Sequence, residues 1–266
     1  MPYPPLVNHY LQFCSFRRAS ERNGIVDLSD VKFFCPTMTL PLVDLIKQNG
    51  FKYKPPTRSS VDYYFSMITN EESRASSQTF VPMHSSKRLN DADIGLIYSL
   101  LSKSNQVDDT QTFKYIIGEL VANISEHSGC NDSSFIAQHY PRVGYTEAAF
   151  FDNGKTIGGS FRESNMYDKT LADTEYLKMA LSGKSTKRED EGRGSGLPST
   201  TNILRAINSD VLIVSGTAAI YLNGTNKYLK GDVSYTLDDS LRLSGTLIGF
   251  QIHLPIKHVD IYEYIK

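Results

Sequence analysis

Apolar residues recur at helical spacing most clearly across residues 108–129, DDTQTFKYIIGELVANISEHSG. Phe113, Ile116, Ile117, Leu120, Val121 and Ile124 follow three- and four-residue steps, the stripe of a helix that faces a core. Glu119, Asn123 and His127 stand at i, i+4 and i+8. At about 100° per residue they form one slanted row. The row borders the apolar stripe, and the solvated face is expected on the far side, at Tyr115, Gly118 and Ala122. Such a row suits a polar helix flank or the wall of a pocket.

Upstream, residues 6–22 read as a helix broken at Gly24. Residues 25–34 read as a strand, a turn at Ser29-Asp30 and a second apolar run. Pro36 is expected to stop extension and Thr37 to cap a helix over 38–48, with Leu40, Leu42, Val43, Leu45 and Ile46 inward and Asn49-Gly50 at its end. Residues 61–67 and 79–83 read as strands, with a polar surface loop over 69–77. A helix over 91–102 leads through a polar connection into the 108–129 helix, and a domain boundary is placed near residue 90.

Downstream, strands are predicted over 134–139 and 145–151 around a turn at 141–144. Residues 160–191 are polar and charged, interrupted by a helix at 174–181, in the manner of a lid or a surface insertion. A helix over 199–207 and strands over 211–215, 218–222, 233–237 and 245–255 complete an antiparallel sheet with one face covered by helices.

The 266 residues are 40% hydrophobic and 21% charged with net charge −1, an ordinary globular composition. Near-neutral charge gives no electrostatic footprint for nucleic acid. No window approaches a membrane span, and the beginning MPYPPLVNHY is not a signal peptide. The cysteines Cys14, Cys35 and Cys130 are scattered, which suggests neither a disulfide framework nor a zinc motif. These features point to the cytoplasm.

Two segments carry candidate chemistry. Asp152 closes a buried strand, where a carboxylate is costly without a partner. It is read either as a turn former with Asn153-Gly154 or as an acceptor for a ligand amine, with Gly154 allowing close backbone approach. Gly192-Arg193-Gly194-Ser195-Gly196-Leu197-Pro198 feeds a helix with Pro198 in its first turn. Free N–H groups and the helix dipole there favour an anion. The loop is neither a Walker A loop nor a Rossmann loop.

In order, E-L-V-A-N-I-S-E-H, F-D-N-G, G-R-G-S-G-L and Gly245-Thr246 resemble the boxes of the GHKL ATPase superfamily: gyrase-type topoisomerases, the heat-shock chaperone ATPase, histidine kinases and mismatch-repair ATPases. The resemblance covers residues 108–255, and its E-H-S ending is most similar to the anti-sigma serine kinases. It implies an α+β fold: a Bergerat-type two-layer α/β sandwich, its mixed, mostly antiparallel sheet bearing helices on one face. Residues 24–85 resemble a STAS domain, so that the division is 1–90, a small STAS-like α/β domain, and 91–266, the ATPase domain.

The resemblance further implies Mg²⁺ and ATP as cofactors. Asn123 holds the metal, His127 meets a phosphate, and Glu119 positions or deprotonates the nucleophile. Asp152 binds the adenine amine with Gly154 beside it, supported by Thr246 through water. Gly192, Gly194 and Gly196 wrap the phosphates, with Ser195 and Leu197 in the same loop. Two positions depart from the family pattern: Thr156 replaces the second glycine of D-x-G-x-G, which is expected to redirect that loop, and Glu126 stands where many of the kinases are basic. The leading expectation is an ATPase that turns over slowly with lid closure and regulates a protein partner or assembles as a homodimer. An anti-sigma-type serine kinase acting on a STAS-like partner and a non-catalytic nucleotide sensor are the alternatives. No membrane is implied.

Overall fold

The computed structural model describes residues 3–69, 79–86, 95–96, 99–100, 110–127, 133–186, 196–225, 227, 229–254 and 256–265; side chains within 110–127 are described from 111 to 123. In chain order the elements are α1 (Pro5–Ser20), β1 (Ile25–Asp27), α2 (Pro36–Asn49), β2 (Lys52–Lys54), α3 (Ser59–Thr69) and β3 (Phe80–Ser86). Then come α4 (Thr110–His127), β4 (Ser133–Tyr140), β5 (Tyr145–Asp152), α5 (Ile157–Glu163), α6 (Asp173–Leu181) and α7 (Gly196–Ala206). The chain closes with β6 (Ser209–Gly216), β7 (Ala218–Leu222), β8 (Val233–Thr236), β9 (Leu243–His253) and a 3₁₀ turn at Ile261–Glu263.

Seven strands form one sheet in the order β3-β4-β5-β9-β6-β7-β8, and every pair in it is antiparallel. β1 and β2 make a separate parallel pair. Alternate residues of each central strand point to opposite faces. Phe135, Ala148, Phe150, Val211, Ile213, Ile248 and Phe250 pack with Phe113, Ile116, Ile117 and Leu120 of α4, Leu177 of α6, and Ile203 and Leu204 of α7. On the other face Ile136, Ala149, Phe151, Leu212, Val214 and Leu247 pack with Leu6 and Tyr10 of α1, Met38 and Leu42 of α2, and Phe65 of α3.

Both faces of the sheet are therefore covered, not one. β3, from the first ninety residues, is the edge strand of the common sheet, and α1–α3 share a core with strands drawn from beyond residue 136. A boundary near residue 90 corresponds to no break in this packing. The reason lies in β5, β6 and β9, which are apolar on both sides. Such strands need a layer on each face, and the N-terminal helices supply the second.

Two local expectations also change. Residues 61–67 are helical: Val61, Phe65 and Ile68 are buried at steps of four and three, while Tyr63 points outward at 67% exposure. The β-branched and aromatic residues that suggest a strand are here a helix face selected by tertiary packing. Pro36 opens α2 instead of ending a strand; it is the first helical residue after Cys35, where its missing N–H costs nothing. Gly50 ends α2 in the left-handed conformation at φ 60°, as the Asn-Gly pair predicts. The loop expected over 69–77 falls, beyond Thr69, outside the described residues. Among the described residues, no helix is long and apolar enough to cross a membrane.

Candidate functional site

The apolar face of α4 fixes its rotation. Phe113, Ile116, Ile117 and Leu120 are at most 1% exposed. Each such burial is worth about 1.5–3 kcal/mol, far more than any polar contact on the helix could overcome. Glu119 and Asn123 are thereby held half-buried at the margin. The row leans towards α7: a Cβ built on Gly196 would lie 2.3 Å from Glu119 Oε2 and 3.4 Å from Asn123 Nδ2. A side chain at this position would displace the Glu119 carboxylate as it now lies. One turn on, the Tyr115 hydroxyl and Ser199 Oγ are 2.7 Å apart. Tyr115 thus belongs to the α4–α7 seam, not to the solvated face, where Gln111 and Lys114 lie.

Asn123 Nδ2 is buried and has no hydrogen-bond partner among the described residues. An unmet buried donor costs about 1–3 kcal/mol. Among the described residues this donor is therefore open to an acceptor, such as a ligand oxygen.

The strand register aligns a second set of polar residues. Across β4, β5, β9 and β6, Ser133 pairs with Asp152, Asp152 with Thr246, and Thr246 with Ser215. All four fall on the α4 side, two residues from the core positions Phe135, Phe150, Ile248 and Ile213. Thr246 and Ser215 hydroxyls are 3.0 Å apart. Gly245, at φ 88°, is required here, since a Cβ on it would lie 1.9 Å from the Asp152 carbonyl oxygen. Residues 128–132 join the end of α4 to Ser133, a reach of at most about 22 Å. Ile207 and Asn208 join α7 to β6, and Ile203 and Leu204 of α7 pack in the same core as Val211 and Ile213 of β6.

Asp152 is 3% exposed. Among the described residues its carboxyl has one donor, the Gly154 amide, 3.0 Å from Oδ1. Burial pushes the carboxyl up to about 7, only partly offset by that amide. Asp152 is thus both a turn former and a buried carboxyl with accepting capacity to spare. Ser133 and Ser215, which share its row, do not stand out in the sequence; their only signal is a hydroxyl at the α4-facing end of an otherwise apolar alternation.

Thr156 does not disrupt the turn into α5. Its φ is −68°, in the extended region, and its hydroxyl caps α5 by accepting from the Gly159 amide at 2.9 Å. A β-branched residue is at ease there, so no left-handed glycine conformation is lost. Ser215 Oγ accepts from the Ile157 amide at 2.8 Å, joining α5 to the polar row. The segment beyond is also anchored. Asp173 accepts from Arg162 Nη2 at 2.6 Å and from the Thr217 amide and hydroxyl at 2.8 and 2.9 Å. The described part of 160–191, which ends at residue 186, carries most of α5 and the whole of α6 and is no loose insertion.

Gly192, Gly194 and Ser195 and the side chains of Glu126 and His127 lie outside the described residues. Leu197 packs half-buried against the core beneath α7. A concavity of about 390 Å³ lined by Asn202, Arg205, Ala206, Asn223, Gly224 and Tyr264 sits at the other end of α7 and contains none of these groups.

The structure brings Glu119 and Asn123 against Gly196, and Asp152 into register with Thr246, both on the sheet face that α4 and α7 cover. The donor set is oxygen-rich: the Asn123 amide oxygen and the Glu119 carboxylate suit a hard cation such as Mg²⁺, which accepts oxygen ligands and keeps several waters. Comparison with protein-family models, curated proteins and solved structures gives no match.

Proposed function

We propose that this chain binds Mg-ATP in the manner of the GHKL ATPases and hydrolyses it slowly. The observation that carries the reading is the pair of unfinished polar groups: the buried Asn123 amide against the α7 N-terminus, and the buried Asp152 carboxyl in register with Thr246. Asp152 accepts the adenine amine, with Thr246 and Ser215 offering hydroxyls beside it. Asn123 holds the metal, whose bound charge offsets that of the phosphates. The N-terminus of α7, with the glycines before it, receives the phosphate oxygens on free N–H groups. Glu119, one turn before Asn123, orients or deprotonates the attacking water. Catalysis of this kind rests on positioning and charge neutralisation more than on covalent chemistry.

Thr156 supports retention of nucleotide binding, since it caps α5 without strain. The STAS-like reading of residues 24–85 gains no support from their packing as a layer of the common sheet. The test is Mg²⁺-dependent phosphate release from labelled ATP by the purified chain. Glu119→Ala is expected to lower release at least about 100-fold, the scale of a lost general base, with ATP binding kept. Release that is absent, or the same in Glu119→Ala as in the parent, would overturn the hydrolytic part.

A further inference from the structure

A second polar cluster lies on the opposite face, where α1 and α2 meet β5. Glu147 is fully buried in the middle of β5. Its Oε1 accepts from the Thr37 amide in the first turn of α2 at 3.0 Å, and its Oε2 accepts from Gln251 Nε2 at 2.8 Å. His9 Nδ1 of α1 is 3.2 Å from Oε2. The contact is an ion pair, and by hydrogen-bond geometry Nδ1 has no partner among the described residues. The free, buried Cys35 thiol completes the group. One ligating atom from each of His9, Cys35 and Glu147 lies within 4.8 Å of the other two. Gly249 makes this approach possible: a Cβ on it would lie 2.5 Å from Thr37 Oγ1, itself buried without a partner among the described residues.

We propose that His9, Cys35 and Glu147 form a binding site for a borderline transition-metal dication, of which Zn²⁺ is the type. One nitrogen, one sulfur and one oxygen donor suit zinc and exclude the hard cations Mg²⁺ and Ca²⁺. Tetrahedral bonds of about 2.0–2.3 Å place donors about 3.5 Å apart, so His9 and Glu147, at 3.2 Å, already stand at ligand spacing and the Cys35 sulfur closes by roughly 1 Å at most. The Thr37 amide and Gln251 hold the carboxylate from behind, the outer-shell support that metal-binding carboxylates commonly have. His9 is 19% exposed on its side chain and gives the site an edge to solvent, from which a water supplies the fourth ligand. Binding requires the Cys35 thiolate and a neutral His9 ring, so the thiol proton and the proton that His9 shares with Glu147 both leave to solvent.

The site pins three segments that are distant in sequence: α1, the entrance to α2, and the centre of the sheet. It is separate from the proposed nucleotide site, on the other face.

The test is titration of the chelator-treated full chain with Co²⁺ in reducing buffer without nucleotide. The expected result is one Co²⁺ per chain with tetrahedral visible bands and a sulfur-to-cobalt charge-transfer band, both removed by stoichiometric Zn²⁺. Cys35→Ser is expected to abolish the charge-transfer band. His9→Ala removes the counter-charge of Glu147 and is expected to weaken binding at least about tenfold, measured on protein whose circular dichroism matches that of the parent. Oxygen-only Co²⁺ spectra, a charge-transfer band that persists in Cys35→Ser, or no binding would overturn the proposal and leave a buried ion pair.

Discussion

Two carboxylates on β5 are buried on opposite faces of one sheet, and they are unlike. Glu147 faces α1 and α2. Burial pushes its carboxyl up, but the His9 ring, the Thr37 amide and Gln251 together outweigh this and hold it below its ordinary value. Burial likewise lowers His9, and Glu147 outweighs it, so the ring is held above its ordinary value. Both directions favour the ionised pair. Asp152 faces the α4 side with a single amide donor among the described residues, and burial takes its carboxyl up to about 7. The desolvation cost is of the same kind in both places; the number of donors decides its outcome. Glu147 has its charge met by His9, Thr37 and Gln251 and staples two layers. Asp152 is left with capacity that a ligand amine would use.

The largest expected effect is on the completed side. Glu147→Ala leaves His9 without its counter-charge and the α2 amide without its acceptor, and is expected to cost about 3–5 kcal/mol in urea unfolding. Glu147→Gln keeps an acceptor for Thr37 and should cost clearly less. Equal losses would show that the charge, and not the hydrogen bond, carries the staple. This pair also has a pH signature. Its contribution through Glu147 is lost as pH falls below the ordinary carboxylate range, and through His9 as pH rises past the elevated histidine value.

Asp152 should behave in the opposite sense. Unfolded, it ionises near 3.8; folded, near 7. The folded chain holds the proton longer, so the favourable contribution is whole below about pH 4 and lost as pH rises to about 7, a swing of at most about 4 kcal/mol. Asp152→Asn carries no such swing. Relative to the parent, it should gain stability steadily as pH rises from 4 to 7, by chemical denaturation at matched pH. A difference that stays flat over that range would mean that Asp152 ionises normally and has solvent or a partner already.

The smallest effect is at Thr156. Removing the α5 cap by Thr156→Ala should cost about 1 kcal/mol, and Thr156→Gly only a few tenths. If Thr156→Gly were instead stabilising, the position would want the backbone freedom that the D-x-G-x-G pattern supplies.

The candidate site was legible where spacing alone determines neighbours. The i, i+4 row on α4 is fixed by helix geometry once the apolar stripe is buried, and a glycine at position 196 marks the close approach of α7. Asp152 was legible as an acid at the end of an apolar strand. Ser133 and Ser215 were not, because their placement beside Asp152 depends on cross-strand register, which no local pattern encodes. Glu147 was hidden for a related reason. In YTEAAFFD a single acid in mid-strand looks solvent-facing, and only the arrival of α1 and α2 on that face, through His9 and Thr37, shows otherwise. The same layer explains α3, which the sequence pattern suggests as a strand: Phe65 and Tyr64 pack against the sheet while Tyr63 faces outward.

The most direct measurement is calorimetric binding of Mg-ATP between about pH 5.5 and 8, in the parent and in Asp152→Asn, with inosine triphosphate, which lacks the adenine amine, as the control. An amine donor favours the ionised Asp152 carboxylate, so affinity should rise with pH through about 7, with proton release. Asp152→Asn should bind more weakly with no such slope, and inosine triphosphate should bind the parent weakly. Absence of binding, or ATP and inosine triphosphate bound alike with no effect of Asp152→Asn, would contradict the assignment of this carboxyl to a nucleotide base.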